Sequence, residues 1–294
     1  MTAQISPELF REIRHIQFKM QKLVADVFQG AYKSRFKGHG MEFEEVREYV
    51  PGDEVRTIDW NVTARMQTPY VKLFREEREL TVMLLVDLSR SCFFGTSAKL
   101  KKEVIAEIGA LLAFSAIKNQ DKIGLILFSD RVELYVPPKK GVRHVLRLVR
   151  EILARKPQGR KTDLKAALTY LGKVMSRSSI CFLLSDFIAL DFEKELRLTA
   201  QKHDLIGMRI YDAKEVVFPS FGLIEMTDLE SGEKALIDTS SERVQRHFKE
   251  VAAQRAEEVK RLFNRIGVPL IEIDTSEGYL KPLEKYFKTR HPLR

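Results

Sequence analysis

The sequence predicts an α/β protein in which a mainly parallel central sheet is flanked by helices. The segment 81–87 is an almost unbroken apolar run, as in a strand that is buried on both faces. Similar runs recur along the chain, and segments whose apolar residues have helical spacing lie between them. Strands that alternate with helices imply right-handed crossovers, which place the strands parallel in one sheet.

The N-terminal part of the chain is predicted to be an extension of this domain. Between residues 7 and 33, apolar residues recur at spacings of three and four, which predicts a helix. Residues 41–80 are rich in turn signals and predict short strands and loops, with 71–75 as the strongest strand candidate. We therefore expect residues 1–79 to pack on a main domain of residues 80–294.

The main domain is predicted to alternate strands with helices up to its C-terminus. The predicted strands are 81–87, 122–128, 132–136, 179–184, 205–211 and 268–274, and the predicted helices are 99–118, 142–154, 162–175, 191–202, 241–265 and 279–289. The strand 132–136 follows its predecessor across the three residues 129–131, so we expect one antiparallel edge. Residues 223–227 and 234–238 flank a polar turn, which predicts an inserted hairpin at about 222–238. We expect the helix 99–118 to be amphipathic.

Composition and charge exclude several classes of protein. The chain has 294 residues, of which 44% are apolar and 31% charged, as is typical of a globular protein with a sizeable core. No stretch approaches the ~20 apolar residues of a membrane-spanning helix, and residues 1–20 mix charged with apolar positions, unlike a signal peptide. The two cysteines, Cys92 and Cys181, argue against a disulfide framework. We therefore expect a cytoplasmic protein without a membrane span.

The net charge of +9 leaves nucleic-acid binding open as one alternative. Basic and acidic residues are interspersed, however, and no known base-reading module is visible. Charge alone gives only weak, salt-sensitive binding, so an acidic protein partner is the favoured interpretation.

Small oxygen-bearing side chains cluster where three predicted elements meet their loops. Asp87, Ser89 and Ser91 follow the first strand of the main domain, Thr162 precedes a helix, and Asp186 follows the strand 179–184. In an open parallel sheet, the working site lies where the carboxyl ends of the strands meet such loops. These five side chains offer only oxygen ligands and two negative charges. The set suits Mg²⁺, with Mn²⁺ or Ca²⁺ as alternatives, and leaves a position for a carboxylate from outside.

The spacing Asp-x-Ser-x-Ser, followed by a Thr and then an Asp after a central strand, resembles the metal-ion-dependent adhesion site of von Willebrand factor A domains. The resemblance implies that Asp87, Ser89, Ser91, Thr162 and Asp186 bind the metal, directly or through water. It also implies a von Willebrand A-like arrangement of the main domain.

A second resemblance covers nearly the whole chain. The segments 43–49, 51–53, 58–60 and 71–78, together with 274–286, are similar to the hallmark segments of domain-of-unknown-function family fifty-eight. Those bacterial proteins carry a von Willebrand A-like domain and are typically encoded beside a MoxR-type AAA+ ATPase. The resemblance implies a chaperone adaptor whose partner is that ATPase or its client, with a partner Asp or Glu on the metal.

Two interpretations of the segment 44–59 remain open. It is either a docking surface for the ATPase or a structural part, with Phe43 and Trp60 packed on the sheet and Arg47, Asp53 and Asp59 forming ion pairs that hold loops. We favour the structural interpretation, because a lone Trp beside apolar residues is usually part of a core.

The sequence does not favour an enzyme. It has no Gly-x-Ser-x-Gly elbow, no phosphate-binding loop with a Gly-Lys pair, and no histidine or cysteine pair with zinc spacing. A metal-dependent phosphoesterase is the remaining enzymatic alternative, although the ligand set supplies no general base. Cys92, beside the predicted site, is interpreted as a small packing residue.

Overall fold

A computed structural model describes residues 7–24, 42–75, 79–93, 100–159, 161–188, 191–213, 220–227 and 234–288. The described residues divide into two compact units. The larger unit holds residues 7–24 and everything described from Thr81 onward, and the smaller unit lies within residues 36–80. The N-terminal helix therefore belongs to the larger unit, rather than to one extension with residues 41–79.

The helices and strands alternate along the larger unit as predicted. The helices are α1 (Pro7–Leu23), α2 (Trp60–Met66), α3 (Lys101–Lys118), α4 (Val142–Ala154), α5 (Leu164–Val174), α6 (Glu193–Lys202), α7 (Glu242–Ile266) and α8 (Leu280–Lys288). The strands are β1 (Glu42–Glu48), β2 (Tyr70–Arg75), β3 (Thr81–Asp87), β4 (Lys122–Phe128), β5 (Val132–Lys139), β6 (Ile180–Ser185), β7 (Asp204–Tyr211), β8 (Leu223–Thr227), β9 (Lys234–Asp238) and β10 (Leu270–Asp274). Two short 3₁₀ turns occur at Val55–Thr57 and Arg90–Phe93.

The central sheet of the larger unit has six strands in the order β10-β7-β6-β3-β4-β5. Neighbouring strands are parallel, except that β5 runs antiparallel to β4 at one edge. The predicted fold class, a mainly parallel sheet flanked by helices, is thereby confirmed.

The strand order reverses between β3 and β6. From β3 the chain continues to β4 on one side, and it later returns to β6 on the other side of β3. The crevice beyond the carboxyl ends of two such strands is the usual ligand site of an open α/β sheet. Here those ends carry Asp87 and Ser185.

Both faces of the sheet are buried, which accounts for the unbroken apolar runs of its strands. Met83 and Leu85 of β3 belong to a core that includes Leu168 of α5 and Phe263 of α7. On the opposite face, a Cβ at Gly109 of α3 would lie 3.6 Å from a methyl group of Leu84, so helix and strand are closely packed.

The prediction that α3 is amphipathic is wrong. The buried residues of α3 include nearly its whole length up to Ala116, and Lys101 and Glu107 are among them. The reason is that α3 packs on the sheet with one side and on α1 and α4 with others. Periodicity cannot register such a second layer of helices, because it belongs to a distant part of the chain.

The smaller unit is built on an antiparallel pair, β1 with β2, followed in sequence by the larger unit. Arg47 donates two hydrogen bonds of 2.7 Å to the carboxylate of Asp53, and Lys72 lies 3.3 Å from Asp59. Asp59 also caps α2 by accepting hydrogen bonds from the backbone amides of residues 61 and 62. The predicted ion pairs are thus confirmed.

The prediction that Trp60 lies in the core is wrong, because its side chain is 68% exposed. Trp60 is the first residue of α2, a seven-residue helix without buried residues, so no apolar layer receives the indole ring. The side chain of Phe43 lies outside the described part of the structure.

The predicted hairpin is confirmed as the antiparallel pair of β8 and β9, with Leu223 opposite Asp238. The turn residues 230–233 fall outside the described residues. In the part of the chain that the structure describes, no helix is both long enough and apolar enough to cross a membrane.

Candidate metal site

Asp87 lies at the carboxyl end of β3 and is fully buried. The amide of Ser89 donates a 2.8 Å hydrogen bond to its Oδ1, and the hydroxyl of Ser185 donates a 2.6 Å hydrogen bond to its Oδ2. The carboxylate therefore joins the ends of β3 and β6 at the point where the strand order reverses. Ser185 was not among the predicted site residues, although its position directly before Asp186 was a usable signal.

Ser89 and Ser91 are also buried. Their hydroxyl oxygens lie 2.9 Å apart, because the 3₁₀ turn that begins at Arg90 curls the loop after β3. The predicted spacing of two residues thus does bring these two oxygens together, next to the Asp87 carboxylate.

Asp186 follows β6 and is 7% exposed. Its Oδ2 lies 3.5 Å from Nζ of Lys101 in the first turn of α3. The next residue, Phe187, has a φ of +55°, a left-handed conformation that costs roughly 1 kcal/mol for a residue with a side chain. The Phe187 ring packs against Phe263 at 5.0 Å between centroids, and its amide donates a 3.1 Å hydrogen bond to Ser185. This packing holds Asp186 at the crevice.

The two carboxylates of the site influence each other. Burial, and next the negative charge of Asp186, raise the pKa of Asp87 to about 7, against the lowering effect of the Ser185 hydrogen bond. Two buried carboxylates that repel each other form a site whose ionised state a cation would stabilise. The same burial and the same two charges raise the pKa of the Cys92 thiol well above its usual value. This buried thiol therefore fits a packing role, as predicted.

Thr162 lies in the loop between α4 and α5. The amide of Asp163 donates a 2.8 Å hydrogen bond to the carbonyl of Ser129, which follows β4, so the loop is tied to the same edge of the sheet. Oγ1 of Thr162 is buried and has no hydrogen-bond partner among the described residues. No hydrogen bond within the described chain joins Thr162 to the other four predicted ligands. Its oxygen is therefore available for a ligand.

Glu133 of β5 organises the loop that leads to Thr162. Its Oε1 accepts hydrogen bonds from the Ser129 hydroxyl at 2.7 Å and from the amides of Gln158 and Gly159 at 2.9 Å each. Burial raises the pKa of Glu133, but these hydrogen bonds outweigh it and lower the pKa below its ordinary value. The ionised carboxylate thus holds the loop on the sheet edge.

The donor chemistry of the five residues fits a hard divalent cation. Oxygen is the ligand that Mg²⁺ prefers, and a site with few protein charges keeps water or an outside carboxylate on the metal. The described residues contain no group of three or more His, Cys, Asp or Glu side chains that could hold a metal ion. The predicted set differs from such a group, because three of its five members are hydroxyl side chains.

The chain has relatives across bacteria. An uncharacterized protein of Mycobacterium bovis is 28% identical over 289 residues, which are 97% of this chain and 90% of that protein. The uncharacterized protein YeaD of Bacillus subtilis is 26% identical over 114 residues, which are 39% of this chain and 26% of that protein.

Among solved structures, an aerotolerance-related membrane protein of Bacteroides fragilis has a TM-score of 0.47 and 12% identity over 71% of this chain and 96% of that chain. The conserved hypothetical protein BatB of Bacteroides thetaiotaomicron has a TM-score of 0.45 and 12% identity over 70% of this chain and 97% of that chain. The family described as "Protein of unknown function DUF58" matches residues 45–258, well over half of the sequence. This chain therefore belongs to that family, Protein of unknown function DUF58.

Proposed function

We propose that this protein is a non-enzymatic adaptor of the cytoplasm that binds Mg²⁺ through Asp87, Ser89, Ser91, Thr162 and Asp186, and through the metal grips an acidic residue of a partner protein. The observation that carries the proposal is the pair of buried carboxylates, Asp87 and Asp186, at the crevice where the strand order reverses. The paired hydroxyls of Ser89 and Ser91 and the buried oxygen of Thr162 support it. The proposed adhesion-type site belongs with a von Willebrand A-like larger unit.

The proposed partner is a MoxR-type AAA+ ATPase or a client of that ATPase. This part of the proposal rests on the family resemblance of the hallmark segments. It gains support from the smaller unit, where Val50, Val55, Trp60 and Met66 are all more than half exposed. Trp is enriched at the centres of protein interfaces, so an exposed Trp favours the docking interpretation of this segment.

The metal part of the proposal is tested by the substitution Asp87→Asn. Wild-type protein should bind Mg²⁺ or Mn²⁺ in isothermal titration calorimetry, and the variant should bind at least about tenfold more weakly, a loss of ~1.4 kcal/mol. Since the Asn side chain ends the repulsion with Asp186, the variant should unfold in EDTA at the same temperature as wild type or higher. Retained binding in the variant would exclude Asp87 as a ligand.

The matched control is Asp121→Asn. Asp121 is also buried, but it precedes β4 and so lies at the opposite, amino-terminal edge of the sheet. This variant should bind the cation with wild-type affinity. A comparable loss of affinity in both variants would mean that the effect of Asp87→Asn is not local.

The adaptor part is tested by capture of a purified MoxR-type ATPase on the immobilised protein. Capture should be lost in EDTA and restored by Mg²⁺, and Trp60→Ala should weaken it without changing cation affinity. Capture that is indifferent to EDTA would show that docking does not use the metal. Phosphate release from a generic phosphoester by the purified protein would instead favour the enzymatic alternative.

A further inference from the structure

Lys101 is a fully buried lysine in the first turn of α3, with 1% of its side chain exposed. Lysine is almost never buried to this degree unless its charge is paired. The position is unfavourable for a second reason, because the partial positive charge at the N-terminus of a helix repels a cation. A group that compensates both costs must therefore lie nearby.

One partner of the ammonium is a carboxylate of the candidate metal site. Nζ of Lys101 lies 3.5 Å from Oδ2 of Asp186, whose side chain is 4% exposed. The Cys92 thiol reports the same neighbourhood, since the charges of Asp87 and Asp186 raise its pKa and that of Lys101 lowers it. The ammonium thus lies among the charges that the proposed cation would neutralise.

We propose that Lys101 is an internal counter-ion of the site, and that a divalent cation must displace its ammonium from Asp186 in order to bind. The inference rests on the proposed function, because it needs a cation at Asp87 and Asp186. Two positive groups cannot share one buried carboxylate without strong repulsion, so the ammonium opposes the incoming cation. Lys101 therefore stabilises the fold without the metal and lowers the affinity for it, which makes binding reversible.

The test compares Mg²⁺ and Mn²⁺ affinities of wild type, Lys101→Met and Lys101→Gln by isothermal titration calorimetry. Both variants should bind the cation at least about tenfold more tightly, which corresponds to ~1.4 kcal/mol. Glutamine keeps a polar group in the cavity, so this variant remains informative if methionine prevents folding. Unchanged or weaker binding in the variants, with normal binding by wild type, would overturn the inference but leave the proposed function standing.

Lys102→Met is the matched control. Lys102 is the next residue of the same helix, but its ammonium donates a 2.9 Å hydrogen bond to the carbonyl of Arg155. This variant should bind the cation within about twofold of wild type. Equal tightening in both lysine variants would show a general effect of net charge and would also overturn the inference.

Thermal unfolding in EDTA examines the counter-ion contact without the metal. Lys101→Met should lower the midpoint, and Asp186→Asn in the same chain should restore part of it, because the double variant no longer buries an uncompensated carboxylate. Additive effects of the two substitutions would contradict the contact. If the contact is present but wild type binds no cation, the proposed function fails and Lys101 is only a permanent ion-pair partner.

Discussion

His203 is a buried imidazole at the carboxyl end of helix α6. Its Nδ1 lies 2.8 Å from the hydroxyl oxygen of Ser179, and its Nε2 is buried without a hydrogen-bond partner among the described residues. Burial, together with the positive charge of Lys202, lowers the pKa of His203 to about 4 from an ordinary value of 6.5. The folded protein thus keeps this ring neutral at pH values at which the unfolded chain protonates it.

The stability of the protein should therefore fall on mild acidification. Between pH 6.5 and 4 the unfolded chain binds a proton that the folded chain excludes, so the free energy of unfolding decreases as the pH falls through this window. The contribution of His203 at pH 4.5 is roughly 2–3 kcal/mol relative to pH 7. Urea unfolding at the two pH values should show this loss in wild type and a smaller loss in His203→Gln.

His247→Gln is the control for this experiment, because His247 lies on the exposed side of α7. It should show the full pH dependence of wild type. An identical loss of stability in wild type and both variants would assign the acid sensitivity to other groups.

At the scale of single residues, the sequence predicts polar groups that follow apolar runs but not those inside a helix. Asp87 and Asp186 could be placed at one sheet edge because each directly follows a buried strand. Lys101 could not, because in the sequence it is one of several charged residues at the start of a helix. Trp60 was placed in the core by its residue type alone, and only the helix on which it lies shows otherwise.

At the scale of elements, strands buried on both faces were the easiest to predict, since a short continuous apolar run that ends at polar turn residues is typical of such a strand. The antiparallel edge strand β5 was recognisable from its short turn after β4. Helix α2 was not predicted, because its seven residues are too few to show a period. Its capping residue Asp59 was a usable signal, since Asp is favoured at the start of a helix.

At the scale of the whole molecule, the order of the strands and the packing of the chain ends depend on contacts that are remote in sequence. Glu107 of α3 provides one such contact. Its Oε2 accepts a 2.7 Å hydrogen bond from Nζ of Lys19 in α1 and another of 2.7 Å from the hydroxyl of Tyr279, just before α8. A single buried carboxylate thus fastens both ends of the described chain to the central crossover helix.

We expect Tyr279→Phe to destabilise the larger unit. The substitution removes the hydroxyl from a residue that is 6% exposed and leaves a buried carboxylate with one donor fewer, which should cost about 1–3 kcal/mol. Tyr170→Phe is the control, because the Tyr170 hydroxyl makes no hydrogen bond within the described part of the chain, while its ring contacts Tyr135 edge-on. Urea unfolding should give a lower midpoint for Tyr279→Phe and a near-wild-type midpoint for Tyr170→Phe. Equal midpoints for the two variants would mean that the contact to Glu107 contributes little, and that apolar packing alone holds the C-terminal helix in place.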